Sequence, residues 1–382
     1  MPIYPVKNVK RDGMQKYRVV INYIDRSGKY KKVERTVYGK SNAVVKEEEL
    51  RLMYCAKGEQ SYQSITVQQL YDEYIKSKGY EVRESTLDKS KRILKGRVLD
   101  TMGDKKIDKL FPQVLQEWKH HIEEIDSITK LSTKKGIYKE FHALMNYAVK
   151  MDYLTVNPLD KVGNFKSAYE GKKEMLFYTP EEFKKYITAA GNYCKEQEKK
   201  GFYGSWNYYV FFMIAFFTGM RKGEINALTW QDIENNTIHI TKSINQKLKG
   251  GDRITPPKNS ASIRNIQMPP QLVTAIEEHK ARYKQLPSFR ESLFICGGEM
   301  SVRDSTVSLM NETFAELAGI KVIRIHDFRH SHASLLANKG ISIHEIARRL
   351  GHSDIKMTLQ TYSHLYPSET ERALSVLREV KI

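Results

Sequence analysis

The chain has 382 residues, with 63 Lys and Arg against 45 Asp and Glu, a formal net charge of +18. That length is more than one ordinary core accommodates and predicts two or three domains, and the charge excess predicts a polyanionic partner, nucleic acid before an anionic membrane. No apolar run reaches the roughly 18 residues of a membrane span, the opening MPIYPVKNVKRDG lacks a signal peptide's apolar stretch, and Cys55, Cys194 and Cys296 are too scattered for a disulfide framework or a CxxC metal site. The expectation is a soluble, intracellular, cytoplasmic protein.

The first 55 or so residues alternate as strands: KYRVVINYID, then Asp25-Arg26-Ser27-Gly28, then KYKKVERTVYGK. Two period-two runs around a turn-forming tetrapeptide predict a hairpin within a small basic sheet. Arg18, Lys31, Lys32 and Arg35 are expected on one face of it, as a ribbon lying in a groove. The alternative is a basic face that is merely solvated. From Ser41 the pattern turns helical, with Ser41 or Asn42 as the expected N-cap.

After a polar stretch, ITVQQLYDEYIKSK, RESTLDKSKRILKGRVLDTMG, FPQVLQEWKHHIEEI and TKKGIYKEFHALMNYAVKMDYLTVNPL repeat apolar residues every three or four positions. They predict a four-helix domain over about 64–160, its last helix stopped by Asn157-Pro158. A polar, basic connector spans 161–174, where Lys166, Lys172 and Lys173 could meet phosphates.

The remaining 200 residues read as mixed but mostly helical. TPEEFKKYITAA carries Thr179 as cap, Pro180 in first position and Glu182 three residues past the cap. WNYYVFFMIAFFTG predicts a buried helix ended by Gly219, NNTIHITKSINQKLKGGDRITPPKNSASIRNIQMP predicts strands and turns, and helices return after Pro270.

Reactive polar groups gather in four places of this half. Arg221 and Glu224 stand three apart in TGMRKGEINALTW, on one side of a new helix. Lys258 is expected on a hairpin tip in TPPKNSASIRNI. His326 and Arg329 share a helical face in HDFRHSHAS, and His352 and Tyr362 lie in LGHSDIKMTLQTYSHL. Singly, each has a plain reading: a surface ion pair, a solvated lysine, a packing tyrosine. A zinc site from His326, His330 and His332 has no supporting cysteine and little carboxylate beyond Asp327.

In this order, arginine, hairpin lysine, H-x-x-R, Gly-His and then a tyrosine ten residues on, the pattern resembles the tyrosine recombinases, in particular the phage and conjugative-transposon integrases. The resemblance covers nearly the whole chain. It implies an α+β fold, mainly helical with small sheets: an arm-site-binding sheet with a helix over 1–60, a helical core-binding domain over 64–160, the 161–174 linker, and a catalytic domain with a C-terminal tail over 175–382.

It also implies DNA strand cleavage and rejoining through a 3′-phosphotyrosyl intermediate. Arg221 and Arg329 would hold the non-bridging oxygens of the scissile phosphate and His352 would hydrogen-bond to it. Tyr362 would be the nucleophile, His326 would take its proton, Lys258 would protonate the leaving 5′-oxygen, and Glu224 would orient Arg221. No metal or other cofactor is implied, so activity is expected to survive EDTA. Tyr366, one turn beyond Tyr362, is the competing nucleophile, and the His-to-Tyr spacing favours Tyr362.

The implied partners are double-stranded DNA at core and arm sites, three further protomers in a tetramer on that DNA, and a host DNA-bending protein and an excisionase as accessories, with no membrane and a nucleoid-associated place in a bacterial cell. The segment after Pro367 resembles a tail that docks on a neighbouring protomer. Two other readings remain at this point. ISIHEIARRLGHSD resembles a helix-turn-helix, as in a DNA-binding regulator without catalysis, and a type IB topoisomerase uses similar chemistry.

Overall fold

The computed structural model describes residues 3–11, 13–24, 30–51, 65–125, 130–166, 175–246, 253–257 and 260–365. The chain divides into two compact units, Met1–Glu170 and Gly171–Ile382. It is mostly helical with small antiparallel sheets, and no helix among the described residues is long and apolar enough to cross a membrane.

The first unit begins with an antiparallel sheet in the order β1 (Ile3–Arg11), β2 (Met14–Ile24), β3 (Tyr30–Tyr38). Val19, Ile21 and Val33 face inward with Ala43 and Leu50 of α1 (Lys40–Leu50). Strand alternation then divides the four basic residues expected together. Lys31 opposite Tyr23 and Arg35 opposite Val19 share the α1 face, whereas Arg18 opposite Thr36 and Lys32 opposite Asn22 lie on the other. On that second face Arg18 and Lys32 both approach the Glu34 carboxylate, at 3.5 and 3.3 Å. The Asp25–Gly28 turn lies outside the described residues. Neither Ser41 nor Asn42 caps α1. The cap is Gly39 at φ 88°, a left-handed setting that a side chain would strain.

Four long helices follow: α2 (Val67–Glu81), α3 (Glu84–Leu94, continued by a π turn into the short α4, Asp100–Met102), α5 (Pro112–Ile125) and α6 (Leu131–Lys150). A reciprocal Thr66–Gln69 box opens α2. The last long helix stops at Lys150, earlier than the expected Asn157-Pro158, because Asp152 adopts φ 59° and turns the chain. Asn157 instead starts the short α7 (Leu159–Val162), its Oδ1 accepting from the Leu159 N–H at 3.0 Å.

Lys78 ties three helices, donating to Tyr74 Oη, Ser90 Oγ and Glu140 Oε2. At the centre Trp118 is buried edge-on to Phe141, with ring centroids 4.9 Å apart, and donates Nε1–H to the Arg97 carbonyl at 2.9 Å. Trp118→Ala should therefore lower unfolding stability by about 3 to 5 kcal/mol. Urea denaturation measures it, and a loss under about 1 kcal/mol would contradict this view of the core.

The second unit is organised around α9 (Trp206–Thr218), whose residues are buried on nearly all sides and so show no polar stripe. Against it pack α8 (Pro180–Lys199), opened by the expected Thr179–Glu182 box, and α11, α12 and α13 (Pro270–Lys284, Asp304–Leu317 and Asp327–Asn338). Phe183 stacks on Phe216 at 3.7 Å, and Phe212 meets Phe328 at 5.1 Å. The short α10 (Lys222–Ala227) follows α9 in the chain, and after it comes a sheet ordered β4 (Ile233–Glu234), β5 (Thr237–Ile240), β8 (Arg264–Gln267). A second hairpin pairs β6 (Ser243–Asn245) with β7 (Arg253–Thr255). Two further helices are α14 (Ile343–Leu350) and α15 (Ile355–Tyr362).

Candidate active site

Two helices of the second unit end in the same way. α9 stops at Gly219 (φ 64°) and α14 at Gly351 (φ 66°), both left-handed. A Cβ on Gly219 would also lie 2.8 Å from the His332 ring and 2.9 Å from Leu350, so packing and backbone both demand glycine there. Carbonyls at a helix C-terminus lack intrahelical partners and carry the negative end of the dipole. Here arginines take them up. Arg329 donates Nη1–H to Gly219 O at 2.8 Å and Nη2–H to Leu350 O at 2.6 Å, while Arg221 donates Nη2–H to Gly351 O at 3.3 Å. Two guanidiniums from residues 108 positions apart thus converge on consecutive residues just before His352.

Arg221 precedes α10 as its N-cap, and Glu224, three residues on, closes back onto it: Oε2 accepts from the Arg221 N–H at 3.0 Å and Oε1 from Nη1 at 2.8 Å. Glu224 Oε2 also accepts from Arg264 Nη2 at 2.9 Å. Burial pushes the Glu224 carboxyl up, but Arg264 and Arg221 together outweigh it and hold the group below the usual carboxylate range. Arg264 is buried too, donating Nε–H to Arg349 O at 2.6 Å and Nη1–H to Ser262 O at 3.0 Å. The sequence reading missed Arg264. Its signal is parity: Arg264 and Ile266 are the inward positions of β8, and an arginine there needs a buried partner.

Arg329 is 3 % exposed, and its guanidinium donates to backbone carbonyls. Burial, reinforced by the Arg221 charge, brings its guanidinium down to about 9, still protonated at neutral pH. His352 Nδ1 meets the Thr358 hydroxyl at 2.7 Å, and burial followed by the charges of Arg329 and Arg221 lowers the imidazole to about 4. His326 is the N-cap residue of α13; burial, then Arg329, lowers its pKa.

Tyr362 closes α15 at 2 % exposure among Ala333, Ala337, Ile346 and Leu350. Burial pushes its phenol up to about 12, against the opposing charge of Arg329. The imidazole that touches it is His330, one turn after the expected His326: His330 Nδ1 lies 2.6 Å from Tyr362 Oη, and the His326 ring stands 5.2 Å from that of His330 at 90°. The contact joins residues 32 apart in sequence, which local spacing does not reveal.

His332, the third of the histidine run, points elsewhere, donating Nδ1–H to Phe216 O at 2.9 Å. His326, His330 and His332 therefore share no centre, and no group of three potential metal ligands exists among the described residues. Burial, then Arg349, drives His332 down to about 3. An unfolded chain takes a proton on this residue below about 6.5, whereas the folded chain refuses it until far lower pH. Its contribution is thus complete above 6.5 and lost as pH falls toward 3, with His330 and His352 acting in the same direction. Unfolding stability should drop by about 2 kcal/mol from His332 alone between pH 7 and 5; urea titrations at both values test this, and equal stability would refute it.

Lys258, Lys172, Lys173 and Tyr366 lie outside the described residues. In the chain Lys258 falls between β7, which pairs with β6, and β8, which pairs with β5. Lys166 is exposed, and Lys161, expected to begin the connector, lies within α7. Cys194 and Cys296 are free, buried thiols.

Guanidiniums, imidazoles and a phenol thus gather around the ends of α9, α13, α14 and α15, and comparison with known proteins identifies the class as a tyrosine-type site-specific recombinase. Residues 179–369, half of the chain, match the phage integrase family, and residues 66–122 match the phage integrase N-terminal SAM-like domain. The chain belongs to the phage integrase family. The ICEBs1 integrase of Bacillus subtilis is 27 % identical over 351 residues, covering 89 % of this chain and 90 % of the relative. The integrase of Staphylococcus phage L54a is 26 % identical over 346 residues, covering 84 % and 94 %. Among solved structures, a Tn1549 transposon integrase in complex with a circular intermediate DNA aligns with a TM-score of 0.65 at 22 % identity, over 82 % of this chain and all of the other. A lambda integrase dimer bound to a COC' core site aligns with a TM-score of 0.55 at 17 % identity, over 94 % of each chain. Family membership removes the reading of a regulator without catalysis.

Proposed function

We propose that this recombinase integrates and excises a phage or conjugative element by exchanging strands of double-stranded DNA, with Arg221, Arg329, His352 and Tyr362 as the groups that meet the scissile phosphate. The observation that carries the assignment is the convergence of Arg221 and Arg329 on the backbone of residues 350 and 351, next to His352.

A phosphodiester repels nucleophiles, and its pentacoordinate transition state gathers more charge on the non-bridging oxygens. Arg221 and Arg329 donate to those oxygens in fixed geometry. The Thr358 hydroxyl donates to His352 Nδ1, which leaves the proton on Nε2 to hydrogen-bond to the phosphate. In the chemical step Tyr362 Oη forms a bond to phosphorus, the bond from phosphorus to the 5′-oxygen breaks, and Lys258 protonates the departing oxygen. The phenolic proton leaves to a base, for which His326 is the family's candidate. Attack by a free 5′-hydroxyl on the phosphotyrosine reverses these bonds and restores the phenol without ATP. Glu224 positions Arg221, and Arg264 positions Glu224.

The 64–160 helices and the 175–382 domain would hold a core site, with Lys166, Lys172 and Lys173 of the connector on phosphates, and the 1–60 sheet an arm site through Arg18, Lys31, Lys32 and Arg35. Four protomers assemble on paired sites, with a DNA-bending protein and an excisionase setting direction. The test uses the full chain and a nicked suicide duplex carrying the joined ends of the element that encodes it. A covalent 3′-phosphoryl adduct mapped by mass spectrometry to Tyr362 is the expected product. Adduct on another residue, or ligated product with no protein-linked DNA, would overturn the assignment.

A further inference from the structure

We propose that His330 is a positioning residue that stores Tyr362 in the resting protomer, and that the phenol must part from His330 before it can attack DNA. The inference rests on the reading of Tyr362 as the nucleophile. Three observations carry it. Tyr362 is 2 % exposed, which leaves little of the residue open to a phosphodiester in a duplex. The ring is walled in by Ala333, Ala337, Ile346 and Leu350, with Leu336 and Leu365 against them. And its hydroxyl is hydrogen-bonded to His330 Nδ1, at 2.6 Å, on α13, the helix that also supplies Arg329.

The direction of that bond follows from burial, which keeps the phenol protonated and the imidazole neutral. Tyr362 donates and Nδ1 accepts, so the remaining His330 proton is on Nε2. In this arrangement His330 is a poor base, since a neutral imidazole so reluctant to charge does not strip a phenol raised to about 12. It is an effective holder. A hydrogen bond to an imidazole on a packed helix fixes the phenol, and a resting enzyme with its nucleophile fixed does not nick DNA before its partners arrive.

The test combines two readouts on the full chain: tetranitromethane nitration of Tyr362 without DNA, quantified by peptide mass spectrometry, and the rate of adduct formation on the suicide duplex. His330→Ala removes the acceptor, while His330→Asn keeps an oxygen near the position of Nδ1. Nitration and adduct formation should both rise about two- to tenfold in His330→Ala, the equilibrium worth of one hydrogen bond, and return toward wild type in His330→Asn. Unchanged nitration in a folded His330→Ala protein, or adduct formation that is unchanged or slower, would overturn the storage role; slower adduct with unchanged nitration would make His330 the base instead. Should the alanine variant not fold, His330→Leu fills the space without an acceptor and is read the same way. If the wild type forms no adduct at Tyr362 on the duplex, the assignment of the nucleophile fails first and takes this proposal with it.

Discussion

Tyr362→Phe is expected to bind duplex DNA as the wild type does and to form covalent adduct at least about 10⁴-fold more slowly, the scale on which a sole nucleophile is missed. The substitution keeps the ring among Ala333, Ala337, Ile346 and Leu350 and removes only the hydroxyl. Stability should fall by about 1 kcal/mol, the worth of the bond to His330. Neighbouring hydroxyls do not substitute. Thr361 donates back to the Met357 carbonyl at 2.7 Å, and an alkyl phosphodiester lacks the phenoxide leaving group that makes religation possible. Single-turnover assays on the suicide duplex measure the effect, and adduct persisting within a hundredfold of the wild-type rate would remove Tyr362 from the mechanism.

Arg329→Lys should slow cleavage by about 10² to 10³ at saturating DNA, as for the loss of one preorganised donor to a developing oxyanion. The native guanidinium serves two backbone carbonyls with one plane of donors, at 2.8 and 2.6 Å. An ammonium is a single centre on a shorter arm, and satisfying one carbonyl strands the other or draws the charge away from the phosphate. A buried carbonyl without a partner costs about 1 to 3 kcal/mol, so the variant should also unfold earlier in urea. Cleavage within tenfold of wild type would mean that the paired donors of Arg329 are not what the reaction uses.

Much of this was legible in the sequence because it is local. The Thr179–Glu182 box, the Gly219 stop after an all-apolar helix, and the Arg221–Glu224 and His326–Arg329 spacings each follow from chain neighbours, and the structure reproduces them. Capping chemistry alone misjudged α1, where Gly39 in a left-handed turn begins the helix before Ser41 can. The α6 end was misplaced because the turn at Asp152 precedes the proline. Arg264 and His330 stayed hidden because their partners are 40 and 32 residues away. The anchors of Arg329 are peptide carbonyls, which every residue possesses and no residue type advertises.

Those anchors have an electrical consequence. Had Arg329 been held by an aspartate, cation and anion would have cancelled, and an arriving phosphate would have met a neutral couple. Amide oxygens carry dipoles but no net charge, so they fix the guanidinium's orientation and leave its full unit of positive charge for the guest. The interior thus holds a cation whose direct partners, Gly219 O and Leu350 O, bear no net charge, and on the proposed reading the backbone of DNA would relieve it.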